Sequence, residues 1–217
     1  MKTYQLKLKL LSPTLIGSGE GFGALIDTDI VFDDAGIPFV PSKRIKGCLL
    51  DSATEVKEIF NDLIDFPMDI ETTFGKKGGD SKSGAVYFSN LTVADYKNNK
   101  AWLDYYLKNK KYPDILSRER ILETFTEIRQ QTAIESGVAK DGSLRTIRVI
   151  KKGFEFYGDI HIEKESETIL DTLMLACLNF RFMGTKRNRG FGEIHCSLLE
   201  NGKELPIPKK LEELCTE

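Results

Sequence analysis

The stretch with the clearest potential for chemistry is residues 183–194, MGTKRNRGFGEI. It places three glycines among three cations: Gly184, Gly190, Gly192, Lys186, Arg187 and Arg189. Glycines allow backbone N–H groups to approach a ligand closely, and the cations would neutralise phosphates. The pattern therefore predicts a loop that grips a phosphodiester backbone. The alternative is a solvated helix-to-strand connection, with glycine ending the helix and cations near its negative end.

Cations also crowd the start of a predicted helix, in PSKRIKG at residues 41–47. Lys43, Arg44 and Lys46 precede Gly47 in its first turns. Because the helix dipole disfavours cations at this end, helix stability does not explain them. An anion shared between these side chains and the helix N-terminus would explain them. A helix end that simply tolerates lysine is the alternative.

A third basic segment, KDGSLRTIRVIKK at residues 140–152, has five cations and one acid. Arg145 and Arg148 are its central cations. A solvated hairpin accounts for this composition equally well. We expect the three basic segments to converge on one face of the fold, where together they would contact nucleic acid.

Hydrophobic periodicity gives the elements that position these segments. Alternation at residues 4–10 predicts a half-buried strand, and apolar residues of helical spacing follow from Ser42. Residues 84–93 and 154–162 indicate further strands, and a helix from 166 to 180 leads through the basic loop to a last strand. This order predicts an α+β protein with a ferredoxin-like (RRM-like) βαββαβ core. We expect one domain over residues 1–217, with insertions at about 12–41 and 95–150.

Composition excludes several classes. The 31 basic and 33 acidic residues give a net charge of −2, so nucleic-acid binding must rest on local clusters. The four cysteines form no C-x-x-C pair and there are two histidines, which disfavours a structural zinc site and is typical of reduced thiols in a cytoplasm. The alternating charges of the N-terminus indicate a strand instead of a signal peptide. The longest apolar run, residues 173–178, is too short to span a bilayer. We therefore expect a cytoplasmic protein that does not bind membranes.

With these segments in this order, the sequence resembles the RAMP superfamily, the ferredoxin-like RNA-binding subunits of CRISPR effector complexes. The segment GTKRNRGFGEI is similar to the family's C-terminal glycine-rich loop, and IPFVPSKRIKG to the segment that opens its first helix. FGKKGGDSKSGAVYFSNLTV and TAIESGVAKDGSLRTIRVIKKGFEFYGDI resemble the stretches that follow, the second as in type III subunits. Lys43 and Arg44 depart from the family's small serines, so RNA contact through hydroxyls is not supported there.

The length resembles that of the repeated type III backbone subunit. This resemblance implies guide (crRNA) binding without sequence specificity through residues 184–192, 43–47 and 145–148. It implies complementary target RNA, other CRISPR effector subunits and stacked copies of the chain as partners, in antiviral defence. It also implies that residues 132–145 form a thumb-like element that displaces nucleotides.

In several type III backbone subunits an aspartate in the first large loop cuts target RNA with a divalent metal. The matching segment here is LIDTDIVF, which implies Asp27 as the catalytic and metal-binding residue, with Mg²⁺ or Mn²⁺ as the cofactor. Asp29 would share a strand face with it. One aspartate binds a metal weakly, so RNA phosphates would have to complete the site. The alternative is that Asp27 caps a turn or is solvated, in a non-catalytic RNA-binding subunit.

Three other interpretations compete. A metal-independent endonuclease that processes precursor guide RNA would use a histidine, for which His161 and His195 are the candidates. A plain RNA-recognition module is rejected, because Glu193 and Cys196 occupy its aromatic positions. A scaffold that binds no nucleic acid would show no salt-sensitive RNA binding.

The aromatic residues allow two interpretations. Phe22, in the glycine-rich stretch at residues 17–24, would stack on a base or pack into the core. Trp102, Tyr105 and Tyr106 have helical spacing and are predicted to be packing residues.

Overall fold

The structure, a computed structural model, describes residues 1–21, 25–60, 68–76, 83–164 and 166–208. Its elements, in chain order, are β1 (Lys2–Leu10), α1 (Ser42–Phe60), α2 (Ile70–Phe74), β2 (Val86–Phe88), β3 (Thr92–Val93), α3 (Tyr96–Lys108), α4 (Arg118–Phe125), β4 (Thr126–Gln131), β5 (Ile134–Glu135), β6 (Val138–Ala139), β7 (Arg145–Ile150), β8 (Glu155–Ile162), α5 (Glu167–Asn179), a 3-10 helix (Arg187–Arg189), β9 (Ile194–Glu200) and β10 (Lys203–Glu204).

The main sheet has the strand order β10–β9–β1–β8–β2, with β3 also paired to β8. All of its pairings are antiparallel. On β1 the apolar residues at 4, 6, 8 and 10 are buried, and the residues between them are more exposed, as period-two alternation predicts. The α+β prediction is thus confirmed at the level of a mixed α/β architecture with antiparallel sheets.

Helices α1 and α5 pack against each other and supply much of the core. Ile45 and Leu49 of α1 and Leu173 of α5 are fully buried. The Ser52 hydroxyl donates a hydrogen bond of 3.0 Å to the Ala176 carbonyl, which fixes the contact between the two helices. None of the described helices is long and apolar enough to cross a membrane.

The first insertion, described here at residues 12–21 and 25–41, follows β1 as irregular segments anchored by isolated bridges. Thr14 pairs with Ile150 of β7, Thr28 pairs with Ile147 in parallel orientation, and Val40 pairs with Leu91. Leu15, Ile16 and Ile30 are buried, so this segment is part of the core.

The second insertion contains α3, α4 and a long hairpin. Strand β4 pairs with β7 from Thr126↔Ile150 to Gln131↔Arg145, and β5 and β6 extend the hairpin toward its tip. The turn uses Ser136 and Gly137, whose φ angles of 52° and 82° suit a tight hairpin connection. A solvated hairpin is one of the alternatives that the sequence allows for residues 140–152, and in the structure these residues include β7, one arm of the hairpin.

The prediction that Trp102 and Tyr105 are packing residues is wrong. Their exposed fractions are 62% and 47%, and α3 contains no buried residue. Helical spacing placed the aromatic rings together, since Trp102 stacks on Tyr106 at 6.0 Å and Tyr106 contacts Tyr112 at 6.0 Å. However, α3 packs along one edge only, and its rings line an open apolar groove of about 510 Å³ with Leu103 and neighbouring side chains.

Candidate nucleic-acid interface

The glycine loop, residues 183–192, is closed like a hairpin and fastened to the first insertion. The Met183 N–H donates to the Gly192 carbonyl at 2.8 Å. The N–H groups of Thr185 and Gly192 donate to the carbonyls of Leu15 and Pro13, at 3.2 and 3.0 Å. The loop is therefore held by backbone contacts that do not depend on any ligand.

The glycines of this loop serve two purposes. Gly184 and Gly192 have φ angles of +88° and +81°, and a Cβ would collide with the carbonyl oxygens of Leu15 and Met183 respectively. The fold itself thus requires glycine at both positions. Gly190 also has a positive φ, +77°, but the space beside its Cα is open. Among the three, Gly190 is where a ligand could come close to the backbone.

Lys186 lies on the hairpin side of the glycine loop. Its Nζ donates a 2.7 Å hydrogen bond to Oε1 of Gln131, the last residue of β4. Burial lowers the pKa of Lys186, and Arg189 and Arg145 lower that pKa further, while Asp27 raises it. The ammonium group is therefore surrounded by more positive than negative charge.

A cavity of about 260 Å³ opens beside Lys186, between the glycine loop and the hairpin. We call it the hairpin-base cavity. Its lining combines neutral polar groups with three cations: Gln131, Thr132, Ala133, Ser143, Arg145, Lys186 and Arg189. Sequence reasoning missed Gln131, and it included Thr132 and Ser143 in the thumb-like segment without singling them out, because only the pairing of Gln131 with Arg145 brings the two ends of this segment together.

Asp27 is bound to the same hairpin. Its N–H donates to the Thr146 carbonyl at 2.8 Å, and its Oδ2 accepts from the Thr146 N–H at 2.7 Å. Asp27 nevertheless remains exposed, and its charge acts on Lys186. The structure therefore brings together Asp27, Arg145, Lys186 and Arg189, which the sequence predicted from three separate segments.

Asp29 and Arg148 have a different environment. The Asp29 side chain is 6% exposed and pairs with Arg148, Nη1 to Oδ2, at 3.1 Å, while its Oδ1 accepts from the Ile30 N–H. The prediction that Asp29 shares a strand face with Asp27 is wrong, because neither residue lies in a strand, and Asp29 is buried in this ion pair while Asp27 is exposed. Arg148, predicted to bind RNA, is 14% exposed and already neutralised, and it holds the first insertion against β7.

The start of α1 lies on the other side of the glycine loop. Burial and Asp51 raise the pKa of the Cys48 thiol, whereas the nearby charges of Arg187 and Arg44 oppose that rise. Arg44 donates from Nη2 to the Gly17 carbonyl at 2.9 Å. Lys43 is exposed and Lys46 is half-buried.

A second cavity of about 260 Å³, the α1-side cavity, lies against this part of α1. Arg181 and Arg187 line it together with Asp51 and Glu55, so its charges are mixed. Gly47 also lies on α1, and a Cβ there would meet no atom within 4 Å. The cations of the glycine loop are thus divided between two cavities, with Arg187 on the α1 side and Lys186 and Arg189 on the hairpin side.

The model of the RAMP superfamily matches residues 7–195. The chain belongs to the RAMP superfamily. Comparison of the sequence with curated proteins finds no significant match.

Solved structures share the fold of this chain. A chain of the type III-B Cmr-beta complex in its apo state matches with 13% identity and a TM-score of 0.62, covering 92% of this chain and 98% of its own length. A chain of Cmr-beta bound to cognate target RNA matches with 14% identity and a TM-score of 0.64. The match covers 91% of this chain and 97% of that chain. A chain of a type IV-B CRISPR complex matches with 12% identity and a TM-score of 0.59. The match covers 95% of this chain and 94% of that chain.

The donors around Asp27 do not by themselves fit a divalent metal. In the part of the chain that the structure describes, no group of three or more His, Cys, Asp or Glu side chains is placed to hold a metal ion. Asp27 interacts electrostatically with the Lys186 ammonium group, a cation that would repel Mg²⁺ or Mn²⁺. The predicted metal at Asp27 stays a prediction that needs ligands from elsewhere.

The two histidines lie away from both cavities. His161 of β8 is opposite Thr3 and exchanges a 2.9 Å hydrogen bond with its hydroxyl. His195 of β9 is opposite Lys9, near the other end of β1. They therefore cannot act as a pair, and neither lines the cavities beside the glycine loop. Phe22, the candidate for base stacking, lies outside the described residues.

Proposed function

We propose that this RAMP protein is a guide-RNA-binding backbone subunit of a type III-like CRISPR effector complex. The observation that carries the proposal is the convergence of cations from separate segments around one exposed loop: Arg44, Arg145, Lys186, Arg187 and Arg189. Phosphate contacts of this kind are independent of base sequence, which suits a subunit that must hold any guide.

We further interpret the core as ferredoxin-like, within a single domain. Strands β9, β1, β8 and β2 have the spatial order of the fourth, first, third and second strands of a βαββαβ unit. Helices α1 and α5, which are its two crossover helices, pack together over the buried face.

The proposed partners follow from the family and from the similar structures. One is a complex bound to cognate target RNA, and all three belong to CRISPR complexes. For this chain we propose guide RNA, complementary target RNA, other effector subunits and stacked copies of itself, in a cytoplasmic antiviral role. The thumb role proposed for residues 132–145 is supported by their position at the exposed end of the hairpin.

Mass photometry of the purified chain with single-stranded RNAs of graded length tests the proposal. We expect bound protomers to increase stepwise with RNA length. One protomer at every length would instead favour the processing endonuclease or a terminal subunit. In titrations, the logarithm of the binding constant should fall against the logarithm of salt concentration with a slope of roughly −0.7 for each phosphate neutralised.

A charge-matched pair of variants makes the test specific. Lys186, Arg187 and Arg189 changed together to Ala should weaken RNA binding at any sequence. The control changes the exposed Lys108, Lys110 and Lys111 to Ala, which removes the same charge near the end of α3. If the two triple variants bind RNA alike, the glycine loop is not the interface.

A second candidate activity is cleavage of target RNA at Asp27. The supporting observation is that Asp27 is exposed, oriented by Thr146 and beside the cations of the hairpin-base cavity. Asp27→Ala should leave guide binding intact and abolish cutting, while Asp34→Ala, also exposed, should cut normally. The assay is run with and without Mg²⁺ or Mn²⁺, because phosphates of bound RNA would have to supply the missing ligands. Unchanged cutting by Asp27→Ala would remove Asp27 from the reaction.

A further inference from the structure

The hairpin-base cavity has an excess of positive charge. Arg145, Lys186 and Arg189 line it, and none of the described residues that line it carries a carboxylate. Asp27 is close enough to raise the pKa of Lys186, but burial and the two arginines outweigh that effect. Since like charges that lie close together repel each other, an anion bound among these three cations would relieve the repulsion, and the arrangement points to an anionic ligand.

The size of the cavity limits that ligand. At about 260 Å³ it lies below the roughly 300–1,000 Å³ of most small-molecule pockets. A phosphate together with its sugar fits this scale better than a complete nucleotide. The base would lie outside, which agrees with binding that ignores sequence.

The remaining polar groups of the cavity suit a sugar hydroxyl. Gln131 accepts from Lys186 through Oε1, and its side-chain NH₂ donates no hydrogen bond to any described residue. The Thr132 hydroxyl shares a 2.7 Å hydrogen bond with the hydroxyl of Ser143, which also donates to the Lys140 carbonyl at 2.6 Å. Donor and acceptor groups therefore lie side by side, and a 2′-hydroxyl needs both.

We propose that the hairpin-base cavity binds one ribonucleotide, with Arg145, Lys186 and Arg189 on its phosphate and Gln131 and Thr132 on its 2′-hydroxyl. The cavity would then make the subunit select RNA over DNA. This inference rests on the proposed RNA-binding function and adds the groups that determine sugar specificity. On binding, the Lys186 ammonium group would exchange its hydrogen bond to Gln131 for one to the phosphate, and the Gln131 side-chain amide would then bind the 2′-hydroxyl.

The test measures the affinity of the full-length chain for an oligouridine RNA and for the deoxyuridine oligomer of equal length, by fluorescence anisotropy at one salt concentration. Wild type should prefer RNA by about tenfold, because one buried hydrogen bond to the sugar contributes on that order. Gln131→Leu should abolish the preference by weakening RNA binding alone. Gln130→Leu is the matched control, since this exposed neighbour does not line the cavity.

A double variant tests the proposed contacts to the phosphate. Arg145→Gln with Lys186→Gln should weaken RNA and DNA binding by the same factor and make both less dependent on salt. Equal affinity of wild type for the two oligomers, or equal weakening of both by Gln131→Leu, would overturn the assignment of the hydroxyl. Binding of neither oligomer by wild type, at low salt as well, would overturn the proposed function itself and this inference with it.

Discussion

Gly192 and Gly47 belong to the same proposed interface, yet the protein needs glycine at one of them and has room for a side chain at the other. A Cβ at Gly192 would collide with the Met183 carbonyl, whereas a Cβ at Gly47 would meet no atom within 4 Å. Gly47 also lies inside α1, where glycine is a poor helix former. Packing of the chain explains the first glycine and leaves the second unexplained.

The cations likewise divide into those that the fold uses and those that it does not. Arg148 is paired with the buried Asp29, and Arg44 donates to the Gly17 carbonyl, so both side chains make contacts that stabilise the fold. Lys186 instead has its charge disfavoured by burial and by neighbouring arginines. Residues that the fold does not need, or that cost it stability, are the better candidates for RNA contact. Three substitutions test this contrast, in order of decreasing effect.

The largest effect is expected for Gly192→Ala. The added methyl group clashes with the Met183 backbone at a φ of +81°, so we expect a loss of unfolding free energy of about 4 kcal/mol or more. Gly190→Ala is the control, because its φ of +77° carries only the strain of about 1–2 kcal/mol for a left-handed residue. Urea denaturation measures both, and equal losses would contradict the steric explanation.

Gly47→Ala should separate stability from function. Alanine in a helix interior is more favourable than glycine by about 1 kcal/mol, so the unfolding free energy should rise by that amount. RNA affinity should fall, because the methyl group occupies space that the phosphate backbone would use. Thermal denaturation and anisotropy titration measure the two effects. A variant that gains stability and binds RNA normally would show that Gly47 faces solvent without a ligand.

The smallest effect is expected for Lys186→Gln, and it depends on pH. The pKa of Lys186 is lowered in the folded protein, so between that value and the ordinary lysine value the unfolded chain binds more protons. Stability of the wild type therefore rises with pH through this range, and below it the charged lysine is a constant cost. Lys186→Gln should be slightly more stable at pH 7, by less than about 1 kcal/mol because solvent screens the charge.

The pH dependence of the stability of Lys186→Gln tests whether the buried charge is the cause of its effect. Glutamine is uncharged and one side-chain atom shorter than lysine, so the variant removes the charge and also the Lys186–Gln131 hydrogen bond, but only the loss of the charge makes the effect depend on pH. The stability gain should shrink as pH rises toward the titration of the lysine. A gain that is the same at neutral and alkaline pH would have a cause other than the burial of this charge.

The sequence by itself determined the elements whose pattern is local. Alternation on β1 and helical spacing from Ser42 predicted a strand and a helix that the structure contains. The glycine loop and the family resemblance were also evident from the sequence, and the family is confirmed. Local periodicity succeeded there because one face of each element is buried in a single continuous core.

The partners of each side chain were decided by tertiary structure alone. Asp27 and Asp29 are two residues apart, but pairing of the first insertion with β7 leaves one exposed and buries the other against Arg148. The aromatic residues of α3 have the spacing of a packed face, and yet Trp102 is exposed because little of the chain covers that helix. The hairpin-base cavity likewise exists only because Gln131 pairs with Arg145 and both meet the glycine loop. Such contacts join residues far apart in the chain, and spacing along the sequence contains no information on which distant backbone covers a given side chain.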